Sequence, residues 1–262
     1  MFLESANITR PREMCGKTIS YPGSPGPGGP AIVQTMVEAD GGACDPSSYG
    51  KHNGGFYHTR ALQQGAADVA TLVFYNFEVV EARGLGLRPA FFSLKDWGVP
   101  DFCQLVLFST PQRIEQLRPQ LPLLPLIRPQ LRALVLAMRR ATGLIHREPQ
   151  RAARIYEEHL RAAAAAEPPA SGSARPLLAR LKAAAAALNP LAAARRRAQR
   201  QAQRKTEAAT MAATLPAFPN DNSLSAAYYE GLMAWLVKTG QVGASAAAEV
   251  PPSQYWTNSV AL

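Results

Sequence analysis

The sequence lacks any long apolar run, and none of its 262 residues falls in a stretch of about 18 apolar side chains. No transmembrane segment is therefore predicted. The first residues, MFLESANITRPREM, also lack the basic and apolar regions of a secretory signal. These two absences favour a cytoplasmic or organellar location over secretion, provided that Met1 is the natural start.

Cysteine and histidine are also scarce. The three cysteines, Cys15, Cys44 and Cys103, are widely spaced and odd in number, so neither a disulfide framework nor a zinc site is predicted. This cysteine usage favours a reducing compartment. The four histidines show no metal-ligand spacing, and no metal site is predicted.

Acidic and aromatic residues are nearly absent from residues 161–206. This segment has ten Lys or Arg and one Glu, which accounts for the whole net charge of +9. It is rich in alanine, is interrupted by four prolines, and has no aromatic side chain that could stack on a base. We predict a basic, Ala-rich, disordered insertion with two short pieces that could be helical. A basic arm for RNA or an anionic membrane is the alternative, and nucleic acid is not predicted as a partner.

Over residues 17–109, short β-favouring runs alternate with helical ones. The predicted strands cover residues 17–23, 68–74, 88–94 and 102–109, and the predicted helices cover 30–40, 59–67 and 75–85. This alternation is typical of an α/β protein whose parallel or mixed sheet is covered on both faces. Further along, helices are predicted over 129–146, 148–160 and 223–242, the last with a Ser cap and a stop at Gly240.

The stretch SYPGSPGPGGPAIVQTM places a glycine-rich loop between a strand and a helix. Glycines allow a ligand close to the backbone, and a helix N-terminus offers free N–H groups to an anion or a polar ring edge. The residues predicted to bind a ligand here are Gly23, Ser24, Gly26, Gly28 and Gly29. A tight structural turn would give the same composition. Three prolines in and after the loop remove donors that a dinucleotide pyrophosphate would need, which argues against a Rossmann cofactor site.

Two segments place polar and aromatic side chains directly after predicted strands, where open α/β sheets bind ligands. In FYNFE, Tyr75 could stack on a flat ring, Asn76 offers a donor and an acceptor, and Glu78 accepts from amines. In KDWGVPDFC, Trp97 could stack on the same ring, and Asp101 is a further ligand-binding candidate. These groups suit a small aminopyrimidine-like ligand. The alternative is that Trp97 belongs to the core and Glu78 to a surface helix.

Two other residues are weaker candidates. His58, in the predicted loop NGGFYHT, could touch a ligand. Cys103 lies in an apolar run, where a cysteine is more often a small buried hydrophobe than a nucleophile.

The segments GKTISYPGSPGPGGPAIVQTMVEADGG, GAADVATLVFYNFEVVEARG and LKDWGVPDFCQLVLFSTP, with FPNDNSLSAAYYEGLMAWL, resemble one known family. This family is the thiamine-pyrimidine branch of the type II periplasmic-binding-protein superfamily. It includes formylaminopyrimidine-binding proteins and hydroxymethylpyrimidine phosphate synthases. The resemblance covers residues 16–110 well and 129–160 and 207–258 more loosely.

The resemblance implies an α/β, periplasmic-binding-protein-like type II fold with one complete lobe, one incomplete lobe and a low-complexity insertion. Most of the first lobe would precede the first matching strand, so the chain looks like an N-terminally incomplete copy. The implied organisation is an N-terminal extension (1–15), a ligand-binding lobe (16–101), the helical remainder of the other lobe (102–160 and 207–262) and the insertion (161–206).

The resemblance implies binding of a small thiamine-pyrimidine precursor, without a cofactor, in thiamine biosynthesis or salvage. The alternative is a synthase-like enzyme that uses iron and pyridoxal phosphate. The lysine and histidine of that chemistry belong to the absent region, and only Cys103 matches the cysteine-rich motif. Binding is therefore favoured over catalysis for this chain. Uncovered apolar faces, such as that of Leu131, Val135 and Met138, make a homodimer possible.

Overall fold

The computed structural model describes residues 1–22, 28–102, 106–110, 112, 129–166, 190–219, 223–249 and 251. The chain divides into two compact units. The first contains Met1–Thr142 and Pro219–Leu262, and the second contains Gly143–Phe218.

The first unit contains two small sheets. A parallel sheet has the order β3–β2–β4, formed by β2 (Thr18–Tyr21), β3 (Gly50–Asn53) and β4 (Val69–Ala70). An antiparallel pair joins β1 (Phe2–Leu3) to β5 (Pro89–Ala90). The helices of this unit are α1 (Gly28–Ala39), α2 (His58–Gln63), α3 (Glu78–Gly84), α4 (Pro129–Arg147, whose last residues belong to the second unit), α7 (Ala226–Lys238) and α8 (Ala244–Glu249). The prediction of a mixed α/β protein is confirmed, with more helix than strand.

The parallel sheet is covered on both faces, because alternate residues of β2 point to opposite sides. Ile19 and Tyr21 pack in one apolar cluster with the α1 residues Ile32, Val33, Met36 and Val37. On the other face, Ala70 packs with Ala61 and Leu62 of α2 and with Val79 of α3. Both clusters also include N-terminal residues, so residues 1–15 contribute Met1, Phe2, Ile8 and Met14 to the core.

The strands differ from their predicted extents. The predicted strand 68–74 is limited to Val69–Ala70, because Leu72 adopts φ of +57° and leaves the extended conformation. Of the predicted strand 88–94, only Pro89–Ala90 pairs, and it pairs with β1 instead of joining the parallel sheet. Strand β3 was not predicted, because its sequence GKHN is polar and its backbone pairing with β2 is long-range.

The predicted strand 102–109 is wrong in its described part. Residues 102 and 106–109 form no strand, and residues 103–105 lie outside the described residues. Val106, Leu107 and Phe108 are all exposed, so their apolar character does not reflect burial in the sheet. An apolar run forms a strand only where a sheet edge is free to pair with it. The outer edge of β4 is not free at Ala70, because the Ala70 amide donates to Met1 O (2.8 Å).

The predicted helices are largely confirmed. Helix α7 begins after Ser225, whose hydroxyl accepts from the Tyr228 amide (3.1 Å), and Gly240 after its end has φ of +69°. Trp235 of α7 packs against the cluster beneath α1, and its Nε1–H donates to the Thr35 hydroxyl (3.0 Å). In α4, Leu134 and Met138 are exposed, while association through this face stays a prediction.

The second unit is helical where it is described. It contains α5 (Pro149–Ala166), α6 (Pro190–Thr214) and a 3₁₀ turn at Leu215–Ala217. The predicted basic insertion is thus described as helix at 161–166 and at 190–206, while residues 167–189 lie outside the described part. Alanine has the highest helix propensity, which accounts for helix in both pieces. None of the described helices combines the length and apolar character needed to cross a bilayer.

One disulfide and one ion pair hold the N-terminal segment. Cys15 and Cys44 form a disulfide, with Cα atoms 5.7 Å apart. Both Arg10 Nε and the Arg12 amide donate to Asp40 Oδ2 (2.9 and 3.0 Å), and Arg10 lowers the pKa of the Asp40 carboxyl to about 2.

The disulfide corrects the prediction from cysteine number. The spacing of cysteines along the chain does not show which of them meet in space. Three cysteines can still form one disulfide and leave one free. The inference of a reducing compartment from these cysteines therefore no longer follows. Cys103 lies outside the described residues.

Removing the disulfide should destabilise the first unit. For a sequence separation of 29, the lost constraint on the unfolded chain corresponds to about 3–4 kcal/mol. Urea unfolding of the Cys15→Ser/Cys44→Ser variant should show this loss. One free thiol per oxidised chain is expected in a thiol assay, and three would contradict the pairing.

Position 54 requires a glycine because it lies close to the central strand β2. A Cβ at this position would overlap the buried Ser20 hydroxyl. Gly54→Ala should therefore lower the free energy of unfolding by about 1–3 kcal/mol. Gly231→Ala, in α7 with no neighbour within 4 Å, should instead raise it by about 0.5–1 kcal/mol. Equal effects in urea unfolding would contradict this reading of Gly54.

Candidate functional site

The candidate site lies at the C-terminal edge of the parallel sheet. Because β2, β3 and β4 are parallel, the loops that follow them leave from the same edge. The described residues that follow the strands are Pro22 after β2, 54–57 before α2 and 71–77 before α3. This edge therefore carries the predicted residues Tyr75, Asn76 and Glu78.

The glycine-rich loop is only partly described. Gly23, Ser24 and Gly26 lie outside the described residues, so their predicted contacts with a ligand stay predictions. Gly28 and Gly29 form the first turn of α1. A Cβ on Gly29 would lie 2.7 Å from Cγ of Tyr21, so this glycine allows α1 to begin directly above the Tyr21 ring.

The loop after β4 carries the strongest polar candidates. Asn76 and Glu78 are both buried, with 7% and 8% exposure. The Glu78 Oε2 atom accepts from the Phe74 amide (2.9 Å), and the same turn is closed by the Phe77 and Glu78 amides, which both donate to Phe74 O. The alternative interpretation placed Glu78 on a surface helix. Glu78 does begin a helix, but its side chain is buried.

Burial shifts the pKa of Glu78. Loss of water around the carboxyl raises its pKa, and the hydrogen bond from the Phe74 amide partly offsets this by favouring the charged form. A carboxyl in such a position can accept from an amine or, when protonated, donate to a ring nitrogen. Both are groups of an aminopyrimidine.

The predicted aromatic residues fall in different environments. Tyr75 follows Phe74 in the same loop and is 46% exposed, and its stacking on a ligand ring stays a prediction. Trp97 is partly buried, packs on the core, and makes an edge contact with Phe92 at 6.2 Å between ring centroids.

The segment that contains Trp97 and Asp101 packs on the second half of α1, away from its first turn. A Cβ on neighbouring Gly98 would lie 3.4 Å from Ala39 and 3.7 Å from Thr35, in the second half of α1. That half is about 10–16 Å along the helix from Gly28. Asp101 is exposed. The structure therefore brings Tyr75, Asn76 and Glu78 together and gives Trp97 a packing role, while ligand contact by Trp97 or Asp101 stays a prediction.

His58 does not lie in a loop, which corrects the sequence interpretation. It is the first residue of α2 and is 1% exposed, and its Nδ1 atom is 3.2 Å from the Ser20 hydroxyl. Burial lowers the pKa of His58 to about 4, so the ring is neutral at pH 7. The His58 ring packs against Ser20 of β2, and contact between His58 and a ligand stays a prediction.

Unpaired buried polar atoms also lie at the sheet, and none of them was predicted from the sequence. Within the described residues, Tyr21 Oη, Thr71 Oγ1 and His58 Nε2 are buried side-chain atoms without a hydrogen-bond partner. Tyr21 ends β2, and Thr71 follows β4, with its amide donating to Ser20 O (2.9 Å). Buried polar atoms are normally paired, so unpaired ones at a sheet edge indicate a place for water or a ligand. No sequence pattern reveals whether a hydroxyl is paired.

The described residues do not provide a metal centre. No group of three or more His, Cys, Asp or Glu side chains among them could hold a metal ion. The iron of the enzyme alternative thus finds no ligand set in the described part of the chain, and Cys103 lies outside it.

Residues 1–152, more than half of the chain, match the family described as NMT1/THI5 like. The chain belongs to this family, which confirms the resemblance found in the sequence. It is 32% identical over 116 residues to a formylaminopyrimidine-binding protein of Halalkalibacterium halodurans. The aligned region covers 44% of this chain and 34% of that protein, so the chain spans about a third of the length of this curated relative.

The buried His58 predicts a loss of stability in mild acid. Its pKa is about 4 in the folded chain and near 6.5 when unfolded, so the unfolded chain binds one more proton between these values. The contribution of the neutral His58 ring to the free energy of unfolding is complete above about pH 6.5 and is lost as the pH falls towards 4. Between pH 7 and pH 5 this amounts to a loss of about 2 kcal/mol.

The test is urea unfolding at both pH values. His58→Asn keeps a side chain that can bond Ser20 but cannot titrate, so its free energy of unfolding should fall less between pH 7 and pH 5. His159→Asn, at an exposed position on α5, should keep the wild-type difference. If His58→Asn and the wild type lose the same amount, the assignment to His58 is wrong.

Proposed function

We propose that this chain binds a thiamine-pyrimidine precursor of the aminopyrimidine type at the C-terminal edge of its parallel sheet. The fold would be that of a type II periplasmic-binding-protein-like domain, with the described sheet as the centre of one lobe. The role would belong to thiamine biosynthesis or salvage. The family membership and the pyrimidine-binding relative from Halalkalibacterium halodurans support this proposal.

The observation that carries the proposal is the burial of Asn76 and Glu78 in one short loop after β4. A side-chain amide and a carboxyl can each form further hydrogen bonds in addition to those they make within the protein. An aminopyrimidine presents amine donors next to ring-nitrogen acceptors, and these match the carboxyl and the amide. The Tyr75 ring lies beside them in the chain and would cover one face of the heterocycle.

The first turn of α1 would contribute a second polar element. Gly28 and Gly29 bring the backbone close to the sheet edge, and the N–H groups of a first helical turn have no partner inside the helix. By the resemblance, the preceding loop with Gly23, Ser24 and Gly26 would add further backbone donors. These donors would face the polar edge of the ligand or a phosphate on it.

The enzyme alternative has less support. The relative from Halalkalibacterium halodurans is a binding protein by name. We therefore propose a binding protein.

Glu78→Gln should weaken binding while preserving the fold. The glutamine oxygen can still accept from the Phe74 amide, but the charge-assisted bond to a ligand amine is lost. The expected cost is about 1–3 kcal/mol, or roughly a 5- to 150-fold weaker Kd for formylaminopyrimidine in titration calorimetry.

Glu81→Gln is the matched control on the same helix. Glu81 is exposed and accepts from the Thr59 hydroxyl (2.6 Å), a bond that a glutamine oxygen can keep. This variant should bind like the wild type. Equal affinity of all three proteins would remove Glu78 from the site, and absence of saturable binding by the wild type would contradict the proposed function.

A further inference from the structure

Helix α6 of the second unit contains a dense basic segment, residues 195–205. The segment has six Lys or Arg and no Asp or Glu. At a rise of about 1.5 Å per residue, the six charges occupy roughly 15 Å of helix axis, or about one cation per 2.5 Å. A DNA duplex has about one phosphate charge per 1.7 Å of its own axis. The two charge densities are therefore similar in size and opposite in sign.

The described cations of the basic segment are all exposed. They are Arg195, Arg197, Arg204 and Lys205. Within the part of the chain that the structure describes, no ion pair joins any of these four to an acidic side chain. Counted at about 100° per residue, Arg197, Arg204 and Lys205 lie within about 100° of the helix circumference. One side of the helix thus carries a row of exposed cations.

The basic segment repels itself in the helical state. Several of its cations are three or four positions apart, a spacing at which like charges destabilise a helix. No acidic side chain within the segment offsets this repulsion. A polyanion bound along the segment would remove the repulsion, so binding would also favour the helix.

The composition around the segment narrows the kind of polyanion. Between residues 192 and 210 the sequence has no aromatic side chain and no apolar side chain larger than that of alanine. A helix that lies in a membrane interface needs a larger apolar face, and proteins that bind single strands rely on aromatic stacking. A duplex requires neither, because phosphate contacts dominate its non-specific binding. Five of the six cations are arginines, whose planar side chains match two phosphate oxygens at once.

We propose that the basic segment of α6 is a non-specific binding surface for duplex DNA. The major groove of B-form DNA admits an α-helix, whereas the major groove of an RNA duplex is deep and narrow. The inference is independent of pyrimidine binding by the first unit. It also differs from the sequence-based expectation that nucleic acid is not a partner. That expectation followed from the lack of aromatic side chains, which excludes base stacking but not contact with phosphates.

Fluorescence anisotropy of a labelled duplex, titrated with the intact chain, tests the surface. If three or four phosphates are contacted, the affinity should fall roughly 40- to 150-fold between about 50 and 200 mM salt. A single strand of the same length should bind more weakly, since no aromatic side chain is available to stack on its bases. Circular dichroism should show that helix content rises when the duplex is added.

Neutralising the described cations should weaken this binding. The variant changes four residues to glutamine, which keeps a high helix propensity: Arg195→Gln, Arg197→Gln, Arg204→Gln and Lys205→Gln. Binding at about 50 mM salt should be at least tenfold weaker, and the salt dependence should become shallower because fewer phosphates are contacted. Changing the three arginines to lysine instead keeps the charge and should preserve the affinity within about threefold.

A matched control removes the same charge from the first unit. It changes four exposed cations there to glutamine: Lys51→Gln, Arg60→Gln, Arg83→Gln and Lys95→Gln. This variant should bind the duplex like the wild type. An equal loss in both glutamine variants would show an effect of net charge and would overturn the assignment to α6.

The remaining outcomes concern the partner. If the wild type shows no salt-dependent binding of the duplex, the proposed surface is wrong, while pyrimidine binding is unaffected. The choice of DNA is also wrong if, per phosphate and at the same salt, the chain binds an RNA duplex or vesicles of phosphatidylserine and phosphatidylcholine as tightly or more tightly.

Discussion

The first unit depends on the pairing of one four-residue strand on both of its edges. Thr18–Tyr21 pairs in parallel with Gly50–Asn53 on one side and with Val69–Ala70 on the other. Parallel pairing places the ends of all three strands at one edge of the sheet, and the loop of Asn76 and Glu78 leaves from this edge. Ser20 at the centre of the strand is fully buried, which leaves room only for a glycine at position 54 and for the neutral ring of His58 beneath it.

The two edges of this sheet are built differently. At the N-terminal edge, a disulfide and the paired side chains of Arg10 and Asp40 fix the chain that enters β2. At the C-terminal edge, aromatic side chains such as Phe56, Tyr57 and Tyr75 are exposed, and unpaired hydroxyls lie just below the surface. Stability is thus concentrated away from the edge where a ligand would bind, as expected when a rigid scaffold supports functional loops.

Sequence patterns predicted the helices well and the strands poorly, for physical reasons. Helices such as α1 and α7 are encoded locally, by apolar spacing, by a Ser cap and by a stopping glycine. Strand β3 has no such local code, since its polar residues are held by bonds to a strand more than 30 residues away. The apolar run at 102–109 shows the reverse case, because its described residues form no strand.

The candidate site was predictable in its chemistry but not in its geometry. Tyr75, Asn76 and Glu78 could be chosen because they follow an apolar run, and the structure places them in one turn. The separation of Trp97 from them could not be foreseen, because it depends on where the segment around Gly98 packs on α1. The unpaired Thr71 hydroxyl and the turned backbone of Leu72 leave no trace in composition or spacing.

The closed turn at 74–78 bears on the thermodynamics of recognition. Three hydrogen bonds within the turn, from the amides of Phe74, Phe77 and Glu78, fix its backbone in the absence of any ligand. A ligand that meets an already ordered loop does not have to compensate for lost conformational entropy of that loop. Association would then resemble docking on a rigid surface, and the enthalpy of binding would reflect contacts and displaced water more than folding of the site.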